Sequence, residues 1–145
     1  MESEKADVRA FVEALEFVRK AVHAADPTLA PLGEIHVAVL RGRMPRKGVI
    51  GEFDYSVHGF GCRFEDADNR DIDVDFLQDG QAVFDSWRVG GFIASLPGRA
   101  DPKRGDFDAA CEELVAEGVL LSPRPGWFAV PEHSRRPLAE PADSC

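Results

Sequence analysis

Between Phe53 and Phe84 apolar and polar residues alternate with a period of two. Phe53, Tyr55 and Val57 fall on one face, with Asp54, Ser56 and His58 on the other. Phe60, Cys62 and Phe64 share a face opposite Arg63 and Glu65, and Ile72, Val74 and Phe76 oppose Asp71, Asp73 and Asp75. This spacing predicts a meander of three to four short strands, the last at 82–84. Gly59 and Gly61, the segment Asp66-Ala67-Asp68-Asn69, and Asp79-Gly80 supply the turn chemistry between them. One apolar and one polar face suit an antiparallel sheet that is open to water on one side.

Helical periodicity flanks the meander. Val8, Phe11, Val12, Leu15, Val18 and Val22 make one stripe, predicting a helix over 4–25 with Ser3 as N-cap and a stop at Asp26-Pro27. Residues 32–41 fit a strand or a short helix equally well. A basic connector follows, with Arg41, Arg43, Arg46 and Lys47 between the breakers Pro45 and Gly48. Asp85 or Ser86 caps a helix over 87–96, whose stripe is Val89, Phe92, Ile93 and Leu96. Gly90-Gly91 inside it predicts close packing against the sheet. A polar loop, 97–105, leads to a last helix with Asp106 as N-cap and Gly118 just past its end. Val119-Leu120-Leu121 and 127–130 then read as a terminal hairpin. The fold class expected is α+β: an antiparallel sheet packed against an N-terminal helix and C-terminal helices, ending in that hairpin. Residues 1–130 make one domain, and 131–145 read as a disordered tail.

Composition narrows the function. The 145 residues carry 17 basic and 26 acidic side chains, a formal charge of −9. Such a surface repels phosphate backbones and anionic membranes and suits a protein partner with a basic surface. The last helix and hairpin look like the end of a winged-helix unit, but that helix, read from Asp106, holds Asp106, Asp108, Glu112, Glu113 and Glu117 and no Lys or Arg, which argues against DNA. Three cysteines without C-x-x-C argue against a disulfide framework and a structural zinc site. No apolar leader and no membrane span are read, so the cytoplasm is the expected compartment.

The polar sheet face gathers the candidate chemistry. His58 is expected beside Asp54, Asp73 and Asp75, where carboxylates could orient an imidazole as general base or share a divalent metal with it. His58, Asp73 and Asp75 are therefore the catalytic and metal candidates. The binding candidates are Asp54, His58, Arg63, Asp71, Asp73, Asp75 and Arg88. Alternating aspartates on one strand repel each other, so compensation from Arg63 or Arg70 is expected. His58 and Cys62 fall on opposite faces, which predicts a buried cysteine rather than a shared zinc or a nucleophile. Phe84-Asp85-Ser86-Trp87-Arg88 reads as structural: Trp87 buries a large area, Asp85 caps, and Arg88 pairs with an acid on the sheet. No phosphate-loop, dinucleotide, nucleophile-elbow or H-E-x-x-H motif is present.

The chain resembles a family of small uncharacterised bacterial α+β domains. The resemblance lies in Pro45 and Arg46 with Gly48, Tyr55 with His58-Gly59 and Gly61-Cys62, Asp73 with Asp75-Phe76, Asp79-Gly80, and Phe84-Asp85 with Trp87-Arg88. It spans roughly residues 8–130 and implies an α+β fold with no established enzyme activity. By analogy of size and charge, the chain is similar to immunity proteins that neutralise a competitor's toxin. The expected function is a non-enzymatic protein-binding module with no cofactor, working through an acidic sheet face. The alternative is an acid–base or metal-dependent enzyme centred on His58 and the nearby aspartates.

Overall fold

A computed structural model describes residues 2–29, 32–77, 80–98 and 104–131. Helix α1 spans Glu2–Ala25, and a 3-10 turn at Pro27–Leu29 leads to α2 at Gly33–Leu40. Strands β1 (Lys47–Ile50), β2 (Phe53–His58), β3 (Gly61–Glu65), β4 (Asp71–Phe76) and β5 (Ala82–Val83) follow, then α3 (Ser86–Ala94), α4 (Arg104–Ala116), β6 (Leu121–Arg124) and β7 (Trp127–Ala129). The α+β class stands, with five antiparallel strands in the order β1-β2-β3-β4-β5 rather than three or four, and a separate two-stranded hairpin, β6-β7.

The extra strand is β1, at the end of the basic connector. Its four residues and its glycine gave no alternation to read, yet it pairs with β2 from Lys47↔Ser56 to Ile50↔Phe53. Two contacts hold it there. The Tyr55 hydroxyl donates to the Pro45 carbonyl at 2.7 Å. Gly48 lies so close to the Tyr55 ring that a Cβ would stand 3.0 Å from it.

The apolar sheet face and the helices make one core. Phe11, Leu15 and Val18 of α1 meet Phe64, Ile72 and Val74 of the sheet and Val89, Phe92 and Ile93 of α3. Phe11 stacks tilted on Phe84 and edge-on to Phe92, with centroids 4.8 and 5.7 Å apart. Burying such a ring contributes about 1.5–3 kcal/mol. The hairpin joins the sheet at one point, where Phe84 and Phe128 exchange backbone hydrogen bonds of 2.9 and 2.8 Å.

Several local expectations are corrected. Residues 33–40, left open between strand and helix by the sequence, are helix, with Ile35 and Ala38, three apart, buried beside Gly33. Ser3 lies inside α1 rather than capping it, and Asp106 lies in the first turn of a helix that begins at Arg104. Trp87 is 65% exposed: it stands on the first turn of α3, whose buried stripe is Val89, Phe92 and Ile93. Phe60 is 74% exposed because it occupies the turn after Gly59 (φ +55°) and leaves the face of Cys62. Gly90 is buried, but Gly91 has open space where a Cβ would stand, so the packing argument fails there. Asp79 and the tail from 132 onward lie outside the described residues. Among those described, no helix is long and apolar enough to cross a membrane.

Candidate functional site: the polar face of the sheet

Strand register builds the site. The polar face carries Asp54, Ser56 and His58 on β2, Arg63 and Glu65 on β3, and Asp71, Asp73 and Asp75 on β4. Across the strands they form three rows: Asp54–Glu65–Asp71, Ser56–Arg63–Asp73 and His58–Gly61–Asp75. Neighbouring residues in a row stand about 4.5–5.5 Å apart at Cβ. The sequence-predicted residues therefore share one face, and Arg88 reaches it from α3.

Their electrostatic states differ. Arg63 donates to Asp71 Oδ1 through Nε at 3.2 Å and Nη2 at 2.7 Å, and lies 3.8 Å from Glu65. Arg88 donates through Nη2 to Asp75 Oδ1 at 2.9 Å and through Nη1 to Asp85 Oδ1 at 3.0 Å. Asp85 also caps α3, accepting the Arg88 backbone N–H at 3.0 Å, so one carboxylate fixes both the helix start and the guanidinium. The Arg88 guanidinium lies 4.8 Å from the centroid of Trp127, in the hairpin. Arg70, the other expected compensator, pairs instead with Asp66 at 2.6 Å. Burial works to raise the Asp66 carboxyl, but hydrogen bonds and charge from Arg70 hold it below the usual range.

Asp73 sits between the two arginines without bonding either. Burial pushes its carboxyl above the usual range, while positive charge on Arg63, His58 and Arg88 pulls the other way. Its Oδ1 and the Nε of Arg88 are both buried with no hydrogen-bond partner. Leaving such a group unsatisfied costs about 1–3 kcal/mol.

Gly61 explains the third row. A Cβ there would stand 2.6 Å from Asp75 Oδ1 and 2.8 Å from the Val74 carbonyl. The missing side chain lets the Asp75 carboxylate lie over β3, toward His58 and within reach of Arg88. Cys62, next along, is fully buried on the other face, and burial pushes its thiol up to about 12. It is inert at neutral pH, as its face predicts.

On the β1–β3 side the face is open. Lys47, Val49, Asp54, Ser56, His58 and Arg63 line a shallow groove of about 540 Å³. Asp54 has no hydrogen bond or ion pair among the described residues, and Val49 is 69% exposed. Among the described residues, no group of three His, Cys, Asp or Glu is arranged to hold a metal ion. His58, Asp73 and Asp75 thus share a face but form no three-ligand set.

The family model for a domain of unknown function (DUF6896) matches residues 5–129. The chain belongs to the DUF6896 family. Neither the curated proteins nor the solved structures gave a match. In this DUF6896 chain several residues singled out in the sequence connect physically: Pro45 and Gly48 to Tyr55, Gly61 to Asp75, Asp75 to Arg88. Sequence reasoning passed over His36 and Trp127. Trp127 carried the one usable signal, an aromatic ring beside a turn at Gly126, but nothing in the sequence joined it to Arg88.

Proposed function

We propose that the protein is a non-enzymatic binding module that docks a partner with a basic surface on the open β1–β3 half of the polar sheet face. The observation carrying this reading is Asp54: an exposed sheet carboxylate, committed to no cation among the described residues, beside exposed Val49. The groove itself balances Asp54 and Glu65 against Lys47 and Arg63; with Asp71, Asp73 and Asp75 beside it against Arg88, the face as a whole holds five carboxylates to three bases, so a basic partner meets a weakly attractive field. Neutralising a toxin would be one use of such a surface. Asp71 and Asp75 are poor probes, because reversing either also breaks an internal arginine pair.

The test is capture from a cell extract with wild type and Asp54→Lys side by side. A partner retained by wild type, lost from Asp54→Lys and eluted by raised salt supports the reading. An identical set of retained proteins on both would sink it.

A further inference from the structure

Beyond the open face, on the far side of the β2–β3 turn, lies a more enclosed recess of about 500 Å³. It is assembled from four separate segments: α2, the β2–β3 turn, the β4–β5 connection and the β6–β7 hairpin. Two of these walls pack closely: a Cβ on Gly33 of α2 would stand 2.4 Å from the Cα of Gly80, ahead of β5. Rings make up much of the lining. His36 lies 5.8 Å from Phe60 and 6.4 Å from Phe76, centroid to centroid, and Trp127 also lines the recess. Phe60 stands at its mouth, 74% exposed. Glu34 and Asp75 contribute carboxylates, and Arg124 is the one Lys or Arg among the described lining residues.

The molecule itself shows what this chemistry holds. Trp127 and Asp75 already grip a guanidinium, that of Arg88, by a ring contact at 4.8 Å and a hydrogen bond at 2.9 Å. Arg88 does not line the recess, so the recess meets the parts of Trp127 and Asp75 that Arg88 leaves uncovered. Asp75 spends Oδ1 on Arg88, and its Oδ2 accepts from no described residue. A volume of this size accommodates a small organic molecule. Aromatic faces attract a planar cation, and a carboxylate edge takes its N–H groups in pairs.

We infer that this recess binds a guanidinium head, stacked among Phe60, His36 and Trp127 and hydrogen-bonded to Asp75 and Glu34. Arg124 on the rim receives any carboxylate the same ligand carries. The head can come from a small guanidino compound or from an arginine side chain of another protein.

The test is an NMR titration of the full chain with butylguanidinium, with its neutral isostere butylurea, and with the capped tripeptide acetyl-Gly-Arg-Gly-amide. Trp127 is the reporter, assigned by comparison with Trp87→Phe. Saturable shifts of Trp127 and of the backbone amides around His36 and Phe60 are expected with butylguanidinium and not with butylurea. Phe60→Ala removes an exposed ring, leaves the core intact, and weakens binding about tenfold. Glu34→Gln, which keeps the shape, weakens it as well. Tighter binding of the peptide than of butylguanidinium assigns the site to a protein's arginine, and the reverse assigns it to a small guanidino compound. Equal binding of butylurea, no saturable shift with either cation at millimolar concentration, or full affinity in Phe60→Ala overturns the proposal. The open-face reading is scored separately, because Asp54→Lys leaves the recess untouched.

Discussion

On the β4 side of the polar face, Asp71 and Asp75 each meet an arginine, and Asp85 anchors one of those arginines from the start of α3. On the β2 side, Asp54 meets no cation and His58 faces solvent beside an open groove. Both sides come from strands with the same alternation of apolar and polar residues. What separates them is the neighbourhood that the alternation cannot show: α3 delivers Arg88 to one side, and no described residue covers the other. A run of aspartates is therefore not by itself a docking surface, since part of its charge is spent inside the molecule.

The most direct way to break this contrast is Arg88→Ala. It strips the cation from Asp75 and Asp85 together and uncovers Trp127, so unfolding in denaturant should show a loss of about 2–3 kcal/mol. Wild-type stability in this variant would mean the β4 side is not internally locked. Gly61→Ala comes next. The added methyl meets a backbone carbonyl and the Asp75 carboxylate, and about 2 kcal/mol should be lost as Asp75 is pushed from Arg88. Double substitution with Arg88→Ala should then cost clearly less than the sum, because both act on the same contact. Arg63→Ala gives the outer reference. Its side chain is 46% exposed, so under about 1 kcal/mol should go, shrinking further in high salt.

The smallest expected effect is a slope with pH. The folded-state Asp73 carboxyl titrates above its unfolded value, near 3.9, so the fold binds its proton more tightly than the unfolded chain does. This group therefore removes stability as pH rises from about 4 through the raised value. Asp73→Asn deletes that loss, and the stability difference should move in favour of the variant as pH rises across the window. A flat difference would mean that burial does not govern Asp73, and one of opposite slope would mean that Arg63 and Arg88 outweigh burial there.

Much of this was readable from residue order. The strands at 53–58 and 71–76 follow from period two, the cap at Asp85 from its place before an apolar stripe, and the burial of Cys62 from its face. The failures have physical causes. Lys47–Ile50 is an edge strand too short to show a period. Trp87 looked like core by size, but in its helix the buried positions begin at Val89. At 32–41 the alternation of Ile35, Val37 and Val39 left strand and helix equally open, and only the burial of Ile35 and Ala38 in the fold decides for helix. Pairings such as Arg88 with Trp127 were invisible because they join segments about 40 positions apart, and only the assembled fold sets them side by side.

The single bridge between Phe84 and Phe128 has a consequence for the order of assembly. Strands β1 to β5 each pair with the next in sequence, so the meander closes only short loops and can form early. Trp127 belongs to a segment that follows the whole meander in sequence and, among the described residues, pairs with it through that one bridge. The stacked cover over Arg88, and with it one wall of the aromatic recess, is completed only when the β6–β7 hairpin returns to Phe84, which makes the recess a late product of folding rather than part of its nucleus.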